Sequence, residues 1–188
     1  MRRTAFRLLP RVCLGPVCLA LFCLALTACG GGTRSGGSVG RRAAIECAPF
    51  ARALTGVALS GSGADWWRLA EGRYTRTQTP ATGSVLVFHR SDRLPYGHVS
   101  VVSRVVSRRQ ILVTQANWVH HVVTQDQSVI DVSDAGDWSK VRVWWPPSEQ
   151  MGQRVYATFG FIRPQRPESH DQLIAGTPAA IRVAENGW

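Results

Sequence analysis

HVSVVSRVVSRRQILVTQANW, His98 to Trp118, is the stretch that decides the fold. Two runs rich in β-branched residues, His98–Val105 and Gln110–Trp118, flank a short polar link and read as strands. A link this short cannot carry a crossover, so the strands are antiparallel neighbours. A turn centred between Ser107 and Arg108 sets His98 opposite Asn117 and Ser100 opposite Gln115, with facing Cβ atoms about 5 Å apart. Gln115 and Asn117 share a face by the two-residue period. An imidazole and two amides therefore gather at one end of one sheet face. The condition is the register. S-R-R lacks the Gly or Asn of tight hairpins, and a slip of one residue would turn His98 to the other face.

Strand patterns recur on both sides of this hairpin: S-V-L-V-F from Ser84, S-V-I-D-V from Ser128, K-V-R-V-W-W from Lys140 and R-V-Y-A-T-F-G-F-I from Arg154. Helical patterns come first. In I-E-C-A-P-F-A-R-A-L, Ile45 to Leu54, Phe50, Ala51 and Leu54 follow Cys47 at i+3, i+4 and i+7. G-A-D-W-W-R-L-A-E-G, Gly63 to Gly72, reads as a second short helix ending at Gly72. Helices followed by a run of strands with short links predict an α+β domain, the helices packed on an antiparallel sheet.

The N-terminus reads differently. M-R-R-T-A-F-R-L-L-P-R is basic, and Val12 to Ala28 is apolar but carries Pro16 and is at the short limit for a membrane span. Together they read as a signal peptide over residues 1–28. L-T-A-C, Leu26 to Cys29, resembles the lipobox of bacterial lipoproteins, which implies lipidation of Cys29 and cleavage before it. Ordinary cleavage near Ala28, with Cys29 incidental, and an uncleaved anchor are the other readings. The Gly/Ser-rich segment that follows, through residue 41, reads as a flexible tether, residues 42–164 as the folded domain and residues 165–188 as a polar, poorly ordered tail with at most a short apolar piece. The expected location is the cell envelope, periplasmic and membrane-anchored.

Export changes the cysteine arithmetic. Of five cysteines, Cys13, Cys18 and Cys23 leave with the signal and Cys29 takes the lipid. Cys47 remains alone in the domain, either an inert buried thiol or a reactive one. Pro49 is tolerated only in a first helical turn, so the helix starts near Cys47. The thiol then sits at the positive end of the helix dipole, where thiolate is favoured and a lowered pKa is expected. His98 supplies a base, and Gln115 or Asn117 a group to orient it.

The formal charge of +10 includes Arg2, Arg3, Arg7 and Arg11 of the signal. The rest is scattered and suits loose contact with anionic polymers. No nucleic-acid motif accompanies it, so nucleic acid is not an expected partner. His89 opens a polar loop, His170 lies in the tail, and the adjacent His120 and His121 are expected to diverge. No second cysteine or spaced carboxylate pair supports zinc, and neither metal nor cofactor is expected.

E-C-A-P-F-A-R, G-V-A-L-S-G-S-G-A-D-W-W, P-A-T-G-S-V-L-V-F, G-H-V-S-V-V and Q-A-N-W, in this order, resemble the CHAP family of cysteine- and histidine-dependent amidohydrolases and peptidases, related to NlpC-type and papain-like enzymes. The resemblance spans about Ala43 to Trp118. It implies a papain-like or NlpC-like fold, peptidoglycan as substrate, Cys47 as nucleophile and His98 as general base. Many members carry Glu-x-Asn where this chain has Gln115-Ala116-Asn117, so Asn117 matches and Gln115 departs from the carboxylate. The implied activity is hydrolysis of a sugar–peptide or stem-peptide amide through a thioester. The alternatives are a cell-wall scaffold that has lost turnover, motivated by Gln115, and a papain-like acyltransferase.

Overall fold

The computed structural model describes residues 39–186. The segment read as a signal peptide, Cys29 and most of the segment read as a tether lie outside the described residues. The elements in chain order are β1 (Val39–Arg42), α1 (Cys47–Thr55), α2 (Asp65–Leu69), β2 (Thr75–Thr77), β3 (Val85–Phe88), β4 (His98–Ser107), β5 (Gln110–Ala116), β6 (Val122–Asp131), β7 (Lys140–Trp145), β8 (Gln150–Met151), β9 (Tyr156–Arg163) and α3 (His170–Glu185). A 3₁₀ turn, Pro146–Ser148, separates β7 from β8.

Among the described residues every strand pair is antiparallel, and the α+β reading holds. The sheet is not open. It runs β6-β5-β4-β3-β9-β7, and β7 pairs back onto β6, so these strands close into a barrel. Closure buries the inner face of the strands, and where the helices pack against the barrel the outer face is buried as well. In β3 all four residues are buried: Val85 and Val87 face the helices, while Leu86 and Phe88 point into the barrel. A four-residue apolar run is what a strand buried on both sides requires. The interior is filled by Leu86, Phe88, Val102, Ile111, Val113, Val129, Trp138, Val141, Val143 and Phe161. A second core lies outside it, where Phe50, Ala51 and Leu54 of α1 and Trp66 of α2 meet Val85, Val87, Val99 and Val101.

The hairpin keeps the expected register at its site end by a different route. The turn is Arg108-Arg109, with Ser107 paired to Gln110. Two irregularities, between Val102 and Arg104 and between Val105 and Ser107, each place one extra residue on β4. Beyond them Val101 faces Thr114, the register that sets Ser100 and His98 towards Gln115 and Asn117.

Two boundaries differ from the sequence reading. β1 pairs with β6 and takes up the end of the segment read as tether. The tail carries α3, residues 170–185, begun by a capping box between Ser169 and Gln172. Leu173, Ala180 and Ile181 are buried in the outer core, so the helix is held by packing, with Pro178 inside it. Of the polar run that suggested disorder, residues 164–169 form the loop before this helix and Asp171 and Gln172 lie on its solvent side. No helix of the described residues is long and apolar enough to cross a membrane.

Candidate active site

Cys47 is the first residue of α1. Glu46 precedes it in an extended conformation, and Pro49 occupies the first turn, where its missing N–H removes no helical bond. Cys47 is free and half-buried. It shares a cavity of about 730 Å³ with Glu46, His98, Asn117 and the loop Arg93–Gly97.

His98 opens β4 at the barrel mouth and is 3 % exposed. Its Nε2 lies 3.0 Å from Gln115 Oε1, which also accepts the Ser100 hydroxyl at 2.5 Å. Phe88 and Trp118 place ring edges against the imidazole, at centroid separations of 5.6 and 5.1 Å. The barrel interior thus closes around one nitrogen of His98. Gln115 Nε2 is buried without a partner.

Of the two amides the sequence offered, Gln115 contacts His98. Asn117 lines the cavity but turns away. It leaves β5 at φ 61°, a left-handed conformation that Asn tolerates. Its Oδ1 accepts the His121 N–H, and its Nδ2 donates to Glu46 Oε2 at 2.9 Å. Asn117 therefore tethers the residue before Cys47.

The thiol is not held low, contrary to the expectation from the helix start. Burial pushes it up to about 11, and the Glu46 carboxylate adds to the rise, against the backbone N–H groups of Val99, Ala48 and Cys47 itself. Burial also drives His98 down to about 4, opposed by its bond to Gln115. Near neutrality the pair is a neutral thiol and a neutral imidazole.

The other histidines do not line this cavity. His89 stacks on Phe159 at 3.5 Å. His120 and His121 do not diverge: their rings stack at 3.7 Å, because His121 takes φ 55°. His170 begins α3 beside Asp126. Ser100, set opposite Gln115 by the sequence register, does meet it, and its hydroxyl donates to the Oε1 that also faces His98. Sequence reasoning missed Gly97. At φ 69°, a Cβ there would stand 2.5 Å from Ala64 Cβ and 2.7 Å from Phe88 O, so only glycine lets the chain enter β4 at His98.

Residues 37–117 match the CHAP domain. The CHAP segment begins just before β1 and ends at Asn117, so Cys47, His98, Gln115 and Asn117 all fall inside it. This supports a peptidoglycan-hydrolase type of function and a place of action at the cell wall. No curated protein matches the chain. Among solved structures, the crystal structure of Ly7917 is similar at 15% identity, covering 71% of this chain and 90% of that one, with a TM-score of 0.28. A likeness of that size carries no argument.

Proposed function

We propose that the protein is a peptidoglycan hydrolase that cuts an amide bond with Cys47 as nucleophile and His98 as base. The observation that carries this is one cavity holding a helix-start thiol and an imidazole whose far nitrogen is fixed by Gln115. With Nε2–H donated to Gln115 Oε1, Nδ1 is the nitrogen left to take the thiol proton. The proton moves as sulfur attacks the carbonyl, since neither group is charged at rest. The backbone N–H groups of Cys47 and Ala48 at the helix start are the donors for the developing oxyanion. Nδ1 then protonates the leaving amine, and a water deprotonated by the same nitrogen hydrolyses the thioester, returning the thiol.

Gln115 acts as the orienting group and Asn117 as the anchor of Glu46. Cysteine tolerates an amide in the orienting place, because a thiol depends less on imidazolium stabilisation than a serine would. The helix-start cysteine beside a barrel-mouth histidine is consistent with a papain-like or NlpC-like relationship. Cys29 is the proposed lipid anchor of an exported envelope protein.

The test is incubation of the full chain, in detergent, with purified sacculi beside Cys47→Ala. Wild type is expected to release fragments whose masses name the sugar–peptide or stem-peptide bond cut, and the variant none. Equal release by both would remove Cys47 from the mechanism, and no release from several peptidoglycan types would leave the scaffold reading. Amine-dependent adducts would point to an acyltransferase. Loss of fatty-acid labelling in Cys29→Ala tests the anchor.

A further inference from the structure

A smaller cavity of about 180 Å³ adjoins the cleft, lined by Arg93, Trp118, Trp145, Arg154 and Tyr156 among others. Two contacts join it to the chemistry. Arg93 lines both cavities. Trp118 forms part of its wall and also stands edge-on to the His98 ring at 5.1 Å. Its aromatic wall is continuous, with Trp118 and Tyr156 at 5.0 Å and both against Phe88.

The cations are what mark it. Arg93 and Arg154 are both exposed at the cavity, and among the described residues neither has a carboxylate partner. Both act on one group: burial raises the Tyr156 hydroxyl, and the charges of Arg154 and Arg93 oppose that rise. Two like charges converge on an aromatic wall with nothing to neutralise them. Arg90, by contrast, is paired with Asp65 and Arg76 with Glu71, while Arg142 beside the cavity donates to the Gly152 carbonyl.

We infer that this cavity is a subsite for a carboxylate carried by the substrate, gripped by Arg93 and Arg154 while the adjoining amide lies at Cys47. The inference rests on the amide-hydrolase reading and names the substrate class within it: an acidic peptide whose free carboxylate lies close to the bond cut. Guanidinium groups pair with carboxylates through two parallel hydrogen bonds, which fixes direction as well as charge. At this size the cavity falls below the roughly 300 Å³ at which pockets for whole ligands begin, so it takes a side arm of a molecule seated in the larger cleft. The aromatic wall covers the methylenes of that arm, and the exposed guanidinium groups at its rim hold the carboxylate.

The test uses soluble muropeptides with free carboxylates and the same preparation after conversion of its carboxyl groups to carboxamides. Binding to the full-length Cys47→Ala chain is measured by calorimetry. The acid form is expected to bind at least about tenfold more tightly, and Arg93→Gln with Arg154→Gln to abolish that difference. Equal affinity for both forms, or a preference that survives the double substitution, would overturn the subsite. So would displacement of the acid form by inorganic phosphate at matching concentration, which would make the pair a general anion site. Digestion of sacculi by wild type separates the two failures. Cleavage without acid preference sinks the subsite alone, whereas acid preference without any cleavage sinks the hydrolase reading and leaves a binding site.

Discussion

His98 Nε2 and Ser100 Oγ converge on a single acceptor, Gln115 Oε1, while the amide nitrogen of the same side chain is buried without a partner. A carboxylate would satisfy both donors and leave no orphaned N–H. Gln115→Glu is therefore expected to raise the His98 pKa by at least about one unit, through the new negative charge beside it. An NMR titration of the imidazole reads this directly. Gln115→Leu removes the acceptor and is expected to lower kcat by about tenfold to a hundredfold, the cost of a lost buried hydrogen bond. An unchanged imidazole titration in Gln115→Glu would show that the side chains do not meet.

The neutral resting pair sets the pH dependence. The reaction needs one proton shared between thiol and imidazole, a state bounded by loss of the base near pH 4 and of the thiol proton near 11. The profile of kcat/KM is expected to be flat from about pH 5 to 9. A limb centred between pH 6 and 7 would contradict the burial of His98. Alkylation supplies a second reading. At pH 8, Cys47 should react with iodoacetamide about a hundredfold more slowly than an ordinary cysteine, followed by mass spectrometry at that residue.

Stability follows from the same imidazole. The unfolded chain binds its proton near 6.5, the folded chain only near 4. Between those values the unfolded state holds more protons, so stability is complete above pH 6.5 and falls as pH drops towards 4, by about 3 kcal/mol in all. Urea midpoints measured across this window in wild type and His98→Phe check it: the variant should lose this component of the slope.

Much of this site was legible because strand pairing is short-range. The period of two and the opposition across β4 and β5 place His98 near Gln115 from the sequence alone, and Pro49 fixes the start of α1. What was hidden depends on residues far apart. Two extra residues on β4 moved the turn by one position yet restored the register at the site, and no local signal marks them. Barrel closure rests on β7 meeting β6, and the apolar run Val85–Phe88 reads the same for a strand in any sheet buried on both sides. The raised thiol pKa was not legible because helix position is written locally, whereas burial is set by the core packed around the start of α1. Asn117 lines the cavity, but its left-handed backbone, which no local signal marks, sends the amide to Glu46.

Gly97 tests how strictly the entry to β4 is built. Its positive φ and the nearness of Ala64 and Phe88 backbone leave no room for a methyl group. Gly97→Ala is expected to destabilise the fold by about 1–3 kcal/mol and to displace His98, lowering kcat more than the stability loss alone explains. Activity measured well below the melting transition separates the two effects, and a fully active variant would show that the loop can move without the imidazole.

The last helix makes the strongest claim about where the domain ends. Leu173 is fully buried, and Gly176 of α3 comes close enough to Leu54 of α1 that a Cβ there would lie 3.6 Å from it. α3 thus backs the helix that carries Cys47. Leu173→Ala removes a filled core position and is expected to cost about 2–5 kcal/mol. Removal of residues 165–188 would strip the cover from Ala51 and Leu54 and loosen α1 itself, so the truncated chain should lose activity together with cooperative unfolding. Were the tail merely an appendage, both variants would melt with wild type, and α3 would have no part in holding the thiol in place.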